Sequence, residues 1–180
     1  MGYKEARQRA GKFMSRLFSC LLLGSLVGCS VCSPVQPSTM TVAPSTMSFE
    51  AELGAGEGTL MQRAQASGGR TIHLAPGERR RWTFTTGAQE ARYALLVTYS
   101  NDNDGESEIL TATIDDTLIG SLEARDTGDN GEGWEAFVTD RLGGFSLRAG
   151  THTLMLESRG GDGCAEIDLL TVTAGDALLM

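Results

Sequence analysis

Basic side chains are scarce once the first 28 residues are passed. Of the 15 Lys and Arg in the 180-residue chain, five (Lys4, Arg7, Arg9, Lys12, Arg16) precede residue 29, against one (Glu5) of the 23 acids. That leaves 10 cations facing 22 anions. Nucleic-acid affinity comes largely from cations that displace counterions, so this remainder argues against a nucleic-acid partner. Histidine is sparse too: His73 and His152 each sit in a strand-like string, and neither has a neighbouring Ser or Cys in a nucleophile motif. The four cysteines form no two-cysteine metal motif. After residue 48 no stretch combines helical periodicity with helical length and caps. Carboxylates, by contrast, are too abundant to mark a glycosidase, which needs two across a cleft at a defined separation. The expectation is a protein that is not an enzyme.

The basic N-terminus leads into the apolar run 17–27, too short to cross a bilayer as a permanent helix but suited to a signal-peptide core. Leu26-Val27-Gly28-Cys29 then resembles the lipobox of bacterial lipoproteins, in which cleavage leaves the cysteine lipidated. The alternative is an ordinary secretory signal with Cys29 as a free or disulfide-bonded thiol. Met14-Ser15-Arg16 before the apolar run is itself a compact signal, so Met1 and Met14 both remain candidate starts. Residues 1–28 read as a lipoprotein signal peptide, and a lipid on Cys29 implies a membrane tether. The expected location is the bacterial cell envelope, outward-facing or periplasmic.

Residues 29–47 are rich in Ser, Thr and Pro without apolar periodicity, the composition of an extended linker. Cys32 lies in it and Cys164 far downstream, and an oxidising compartment permits a bond between them. Residues 48–180 form the expected folded domain. Short strings such as Thr71-Ile72-His73-Leu74 and Arg81-Trp82-Thr83-Phe84, with 93–99, 110–115, 134–139, 152–157 and 167–172, carry β-branched or aromatic residues between turn signals. They predict an all-β antiparallel sandwich, each strand burying one face.

Two acidic strings bracket this domain: Phe49-Glu50-Ala51-Glu52 at its start and Glu166-Ile167-Asp168-Leu169 near its end. Carboxylates at i and i+2 point to one face of a strand, so spacing alone reads Glu50 and Glu52 as a solvated strand face, while pairing of the two strings would pool Glu50, Glu52 and Asp168 into an oxygen-rich site suited to calcium.

In order along the chain, these strings together with Ser67-Gly68-Gly69, Tyr99-Ser100-Asn101, Ile114-Asp115-Asp116, Gly133-Trp134-Glu135-Ala136-Phe137 and Leu147-Arg148-Ala149-Gly150-Thr151-His152 resemble family 6 and family 35 carbohydrate-binding modules. The likeness spans about 48–174. It implies a galactose-binding-like jelly roll without catalysis, a structural calcium held by Glu50, Glu52 and Asp168 with a backbone carbonyl near Arg70, and a glycan cleft among the loops at one end. It places Asn101, Asp102, Asp104, Trp134 and Glu166 at that cleft. Glu166 stands where the family carries Asn, and the Gly68-Gly69-Arg70 loop lacks an aromatic ring. Trp134 is then either a stacking platform or a core ring.

Asn101-Asp102-Asn103-Asp104-Gly105-Glu106 looks like a calcium loop, yet Thr111 stands where an EF-hand closes with Glu, so a turn lining the cleft is expected. Arg79-Arg80-Arg81 reads as a solvated turn-and-edge patch, with Arg80 opposite its neighbours. The reading is a lipid-anchored, calcium-stabilised β-sandwich that binds glycan. The alternative is a structural or protein-interaction lipoprotein that retains the sandwich but not sugar binding.

Overall fold

Alternation decides which side chains enter the core. In the strand Arg79–Thr86, Trp82, Phe84 and Thr86 are buried, while Arg79, Arg81, Thr83 and Thr85 face out. The computed structural model describes residues 46–87, 90–102, 105–128, 131–161 and 163–175. The signal segment, Cys29, Cys32 and Asp104 lie outside them.

The strands are β1 (Thr46–Glu50), β2 (Ala55–Gly56), β3 (Thr59–Gln62), β4 (Arg70–Leu74), β5 (Arg79–Thr86), β6 (Ala91–Ser100), β7 (Glu108–Ile114), β8 (Thr117–Ala124), β9 (Val138–Leu147), β10 (Gly150–Arg159) and β11 (Ala165–Ala174). Three 3-10 turns interrupt them, at Ala51–Leu53, Ser67–Gly69 and Gly133–Glu135. Among the described residues there is no α-helix. All the pairings are antiparallel, in the order β2-β5-β10-β7-β8-β9-β6-β11-β4-β3, with β1 added to β11. This curled sheet is the antiparallel β-sandwich the alternation predicts. The β2-to-β8 half faces the β9-to-β3 half across a core that includes Trp82, Phe84, Leu110, Leu154 and Leu156 on one side and Leu95, Val97, Tyr99, Ile167 and Leu170 on the other.

The two halves meet where Gly120 of β8 pairs with Gly143 of β9. A Cβ on Gly120 would come within 2.4 Å of the Leu142 carbonyl, and one on Gly143 within 2.3 Å of the Ile119 carbonyl. Only glycine allows the backbones this close, so the pair makes the corner.

The last strand, β11, serves two neighbours on one edge. Its first residues pair with β4 (Ala165↔Leu74, Glu166↔His73, Ile167↔Ile72), and its later residues pair with β1 (Glu50↔Leu169 through Thr46↔Thr173). Between these stretches its register against β6 shifts, from Ile167↔Tyr99 to Leu169↔Thr98. Asp168 is the inserted residue of this bulge. An extra residue reverses the facing of everything beyond it and re-aims its own side chain.

Three expectations need correction. The first strand opens at Thr46, inside the segment assigned to the linker. Trp134 is not in a strand: it lies in the Gly133–Glu135 turn, and β9 begins only at Val138. Glu50 and Glu52 do not share a strand face either, because β1 ends at Glu50 and Glu52 sits in the 3-10 turn that follows.

Candidate functional site

The acidic trio assembles all the same. The 3-10 turn at Ala51–Leu53 carries Glu52 round beside Glu50, and the bulge aims Asp168, 4% exposed, toward both. Ser67 Oγ donates to Glu50 Oε1 at 2.8 Å. Gly68, with φ 65°, leaves space that a Cβ would fill to within 3.4 Å of Glu52 Oε1 and 3.7 Å of Glu50 Oε2. Glu50 Oε2, Glu52 Oε2 and Asp168 Oδ1 are buried and, among the described residues, have no hydrogen-bond partner. A compensating charge comes from Arg70, whose Nη2 lies 3.4 Å from Glu52 Oε1. Burial pushes the Asp168 carboxyl up to about 6; a hydrogen bond from the Ser67 backbone opposes this, and the charges of Glu50 and Glu52 add to it. Buried acceptors left unpaired are costly, so the three carboxylates crowd one another at a destabilising site.

Arg80 holds the loop in place. Its guanidinium donates to the carbonyls of Ala51 (2.9 Å), Glu52 (3.1 Å) and Glu57 (2.9 Å), and the Trp82 indole N–H donates to the Glu50 carbonyl at 3.2 Å. Burial lowers the Arg80 pKa, against the charge of Glu52. Arg80 is thus a structural clamp rather than part of a solvated patch, while Arg79 and Arg81 are exposed.

A second cluster forms around Glu166. Its side chain is fully buried, and Arg63 grips it with both arms of the guanidinium, Nε to Oε2 at 2.7 Å and Nη2 to Oε1 at 2.5 Å. Thr71 Oγ1 donates to Oε2 at 2.7 Å, and His73 Nδ1 stands 3.4 Å from Oε1. Burial alone would raise the Glu166 pKa, but hydrogen bonds from Arg63, His73 and Thr71, with the Arg63 charge, hold it down at about 2. Trp134 is half-buried beside this group. The Arg63 Cζ lies 5.7 Å from its ring centroid, and the His73 ring lies 5.7 Å away, tilted 46°. The Trp134 carbonyl accepts from Ser100 Oγ at 3.2 Å, and Gly133 N–H donates to Asp102 Oδ2 at 2.9 Å, so the turn carrying the ring is pinned to the end of β6.

The structure therefore separates the expected cleft residues. Trp134 reaches the surface as a partly covered ring, outside the buried core. Glu166 does not: both its oxygens are taken and it is inaccessible. Asn101 is also fully buried, its amide donating to Glu108 Oε2 and the Ala124 carbonyl at 2.7 Å each. Asp102 caps the Trp134 turn, and Asp104 lies outside the described residues. Asn101 and Glu166, two of the four polar residues expected at the cleft, are instead bound up inside the fold. Arg63, Thr71 and His73 were not foreseen; an isolated Arg in a loop carries no motif that would mark it.

Grooves of about 350 and 430 Å³ lie elsewhere, one beside Arg79, Arg81 and Met155 and the other beside Leu118, Phe145 and His152. At the second, Asp115 Oδ2, His152 and Thr86 Oγ1 mimic a charge relay, with 2.7 Å to Nδ1 and 3.2 Å from Nε2. The mimicry fails chemically. Thr86 is 4% exposed, its hydroxyl donates to the Arg148 carbonyl at 2.5 Å, and His152 Nε2 faces the same carbonyl at 3.0 Å. A ring nitrogen that donates there is no base for the hydroxyl.

No family model matches the chain, and no curated protein matches it. Solved structures do. The chain is similar to a family 35 carbohydrate-binding module from Clostridium thermocellum, with 19% identity and a TM-score of 0.62 over 73% of this chain and 99% of that one. A family 35 module from an environmental isolate gives 23% identity and a TM-score of 0.59 over 72% and 93%. The C-terminal family 6 module of a marine laminarinase from Zobellia galactanivorans gives 16% and 0.57 over 71% and 98%. At these identities the likeness is one of fold.

Proposed function

We propose that the domain is a non-catalytic glycan-binding module, tethered to the bacterial envelope through a lipid on Cys29 and stabilised by calcium between its first and last strands. The observation that carries the glycan reading is Trp134: a large ring held at the surface on a pinned turn, packed against Arg63 and His73, is the means by which a protein packs against the apolar face of a sugar ring. The fold shared with carbohydrate-binding modules supports it. For calcium, the support is the set of three buried, unpartnered carboxylate oxygens around Gly68. Among the described residues no group of three or more His, Cys, Asp or Glu side chains is placed to hold a metal ion as it stands, which is the observation against calcium. Calcium takes six to eight oxygens, so Glu50, Glu52 and Asp168 would share it with backbone carbonyls and water.

A screen of the calcium-loaded protein against plant, microbial and host glycans tests the binding. At least one neutral or uronate-containing glycan should bind, and Trp134→Ala should weaken it about tenfold or more with the fold intact by thermal melting. Arg81→Ala, an exposed change, should leave binding near the parent value. Arg80→Ala is a poor control because it releases the loop that carries Glu52. Absence of binding to every member favours the alternative, a structural or protein-interaction lipoprotein. The internal use of Asn101 and Glu166 is the observation on that side.

The tether is tested separately. Expressed in a bacterium supplied with labelled fatty acid, the chain should carry label and sediment with membranes, and Cys29→Ser should remove both. An unlabelled, soluble parent chain ends the lipoprotein reading.

A further inference from the structure

The end of the sandwich away from Trp134 is closed by a histidine. There β6 starts, with Ala91 paired to Leu147, and it reaches the Trp134 turn only at Ser100. His152 of β10, with a side chain 11% exposed, lies across the ladder from Phe84 of β5, and the two rings are 5.7 Å apart. Three segments meet at its imidazole. Nδ1 is 2.7 Å from Asp115 Oδ2 in the β7–β8 turn, and Nε2 is 3.0 Å from the Arg148 carbonyl in the β9–β10 turn and 3.2 Å from Thr86 Oγ1 at the end of β5. Asp115 is bound to β10 a second time: its Oδ1 accepts from the Thr153 N–H at 2.8 Å, and its own N–H donates to the Thr153 carbonyl at 3.0 Å. These bonds hold a tight turn in which Asp115 and Asp116 both have left-handed backbones, with φ 48° and 63°.

Both ring nitrogens face oxygen acceptors. An imidazolium carries two N–H donors and satisfies Asp115 and Arg148 together, whereas a neutral ring carries one. Thr86 does not make up the difference, because its single hydroxyl hydrogen already goes to the Arg148 carbonyl at 2.5 Å. Turning that hydrogen to Nε2 would take it from the carbonyl. We propose that His152 is a pH-controlled latch: as an imidazolium it ties the β5 end, the β7–β8 turn and the β9–β10 turn together, and on losing its proton it lets the two turns part. The latch is independent of the glycan and calcium reading. The carboxylate facing the ring is Asp115, with exposed Asp116 beside it; the Arg148 guanidinium is 88% exposed and lies 3.8 Å from Glu90, and β5 presents the uncharged Phe84 and Thr86. Burial works against the imidazolium, but the Asp115 hydrogen bond, the Arg148 carbonyl and the Asp115 charge outweigh it and raise the His152 pKa above its ordinary value. A raised folded-state pKa gives stability that is fully present below the unfolded value of about 6.5 and is lost as the pH rises through the folded one. The two turns also wall the groove of about 430 Å³ that holds Leu118 and Phe145, so its shape follows the latch.

The test follows the imidazole rings of the full chain by NMR from about pH 5 to about pH 9, with His73→Gln to assign the two histidines. His152 should titrate above the ordinary value of about 6.5, and Asp115→Asn should bring its midpoint down. Melting temperatures of the parent and His152→Gln are compared over the same range. The advantage of the parent should be full near the acidic limit and shrink by roughly 3–5 °C toward the alkaline one, the equivalent of one hydrogen bond. Hydrogen exchange of the Thr153 amide, corrected for its intrinsic pH dependence, should accelerate through the same midpoint. A histidine that only fills space would give a gap that does not change with pH. Such a constant gap, or a His152 midpoint at or below about 6.5, overturns the proposal. If His152→Gln does not fold, the midpoint and the Thr153 exchange of the parent decide alone.

Discussion

Arg63→Ala is expected to cost the domain about 3–5 kcal/mol, because it strands a fully buried carboxylate whose oxygens Arg63 now satisfies. For a domain of this size, the loss corresponds to a fall in melting temperature of roughly 10–20 °C. The pH dependence gives the effect a signature. Glu166 ionises at about 2 when folded, below its unfolded value, so its contribution is fully present above about pH 4.5 and disappears as the pH falls toward 2. The gap between wild type and Arg63→Ala should therefore narrow over that window, since a protonated Glu166 no longer needs the guanidinium. Melting curves that differ by less than 2 °C at pH 7 would show that the pair contributes nothing net.

The second large effect is expected from calcium. If Glu50, Glu52 and Asp168 hold the ion only in the folded state, calcium at 100 times its dissociation constant adds about 2.7 kcal/mol, or roughly 10 °C. Asp168→Asn should remove most of this increment. It should also melt near or above wild type in chelator, because it takes one of three crowded carboxylates out of a buried site. Identical curves in calcium and chelator, on protein verified metal-free, would exclude the site.

Most of the strands were legible because burying one face leaves a period-two trace, as in Arg81-Trp82-Thr83-Phe84. The strand β8 was passed over, since Gly120 breaks its pattern where the sandwich turns its corner. The carboxylates Glu50, Glu52 and Asp168 could be named from sequence, but the reason given for their convergence was wrong. They meet through a 3-10 turn and a one-residue bulge, and neither leaves a periodic signal. The Glu166 cluster was the least legible. Whether a carboxylate faces a ligand or a guanidinium depends on a partner 103 residues away, Arg63, which the local string does not mention.

Pairing of β1 with β11 joins residues as far apart as Thr46 and Thr173, 127 positions along the chain. A chain made from its N-terminus must hold β1 without its partner until nearly all of the domain has emerged, and such distant pairings form late because loop closure precedes any reward. The acidic cradle shares this timing, since it needs Glu50 from the first strand and Asp168 from the last. Calcium held there would report that the whole chain has arrived, and a C-terminal truncation before Asp168 would leave the first strand an open edge, available to the wrong neighbour.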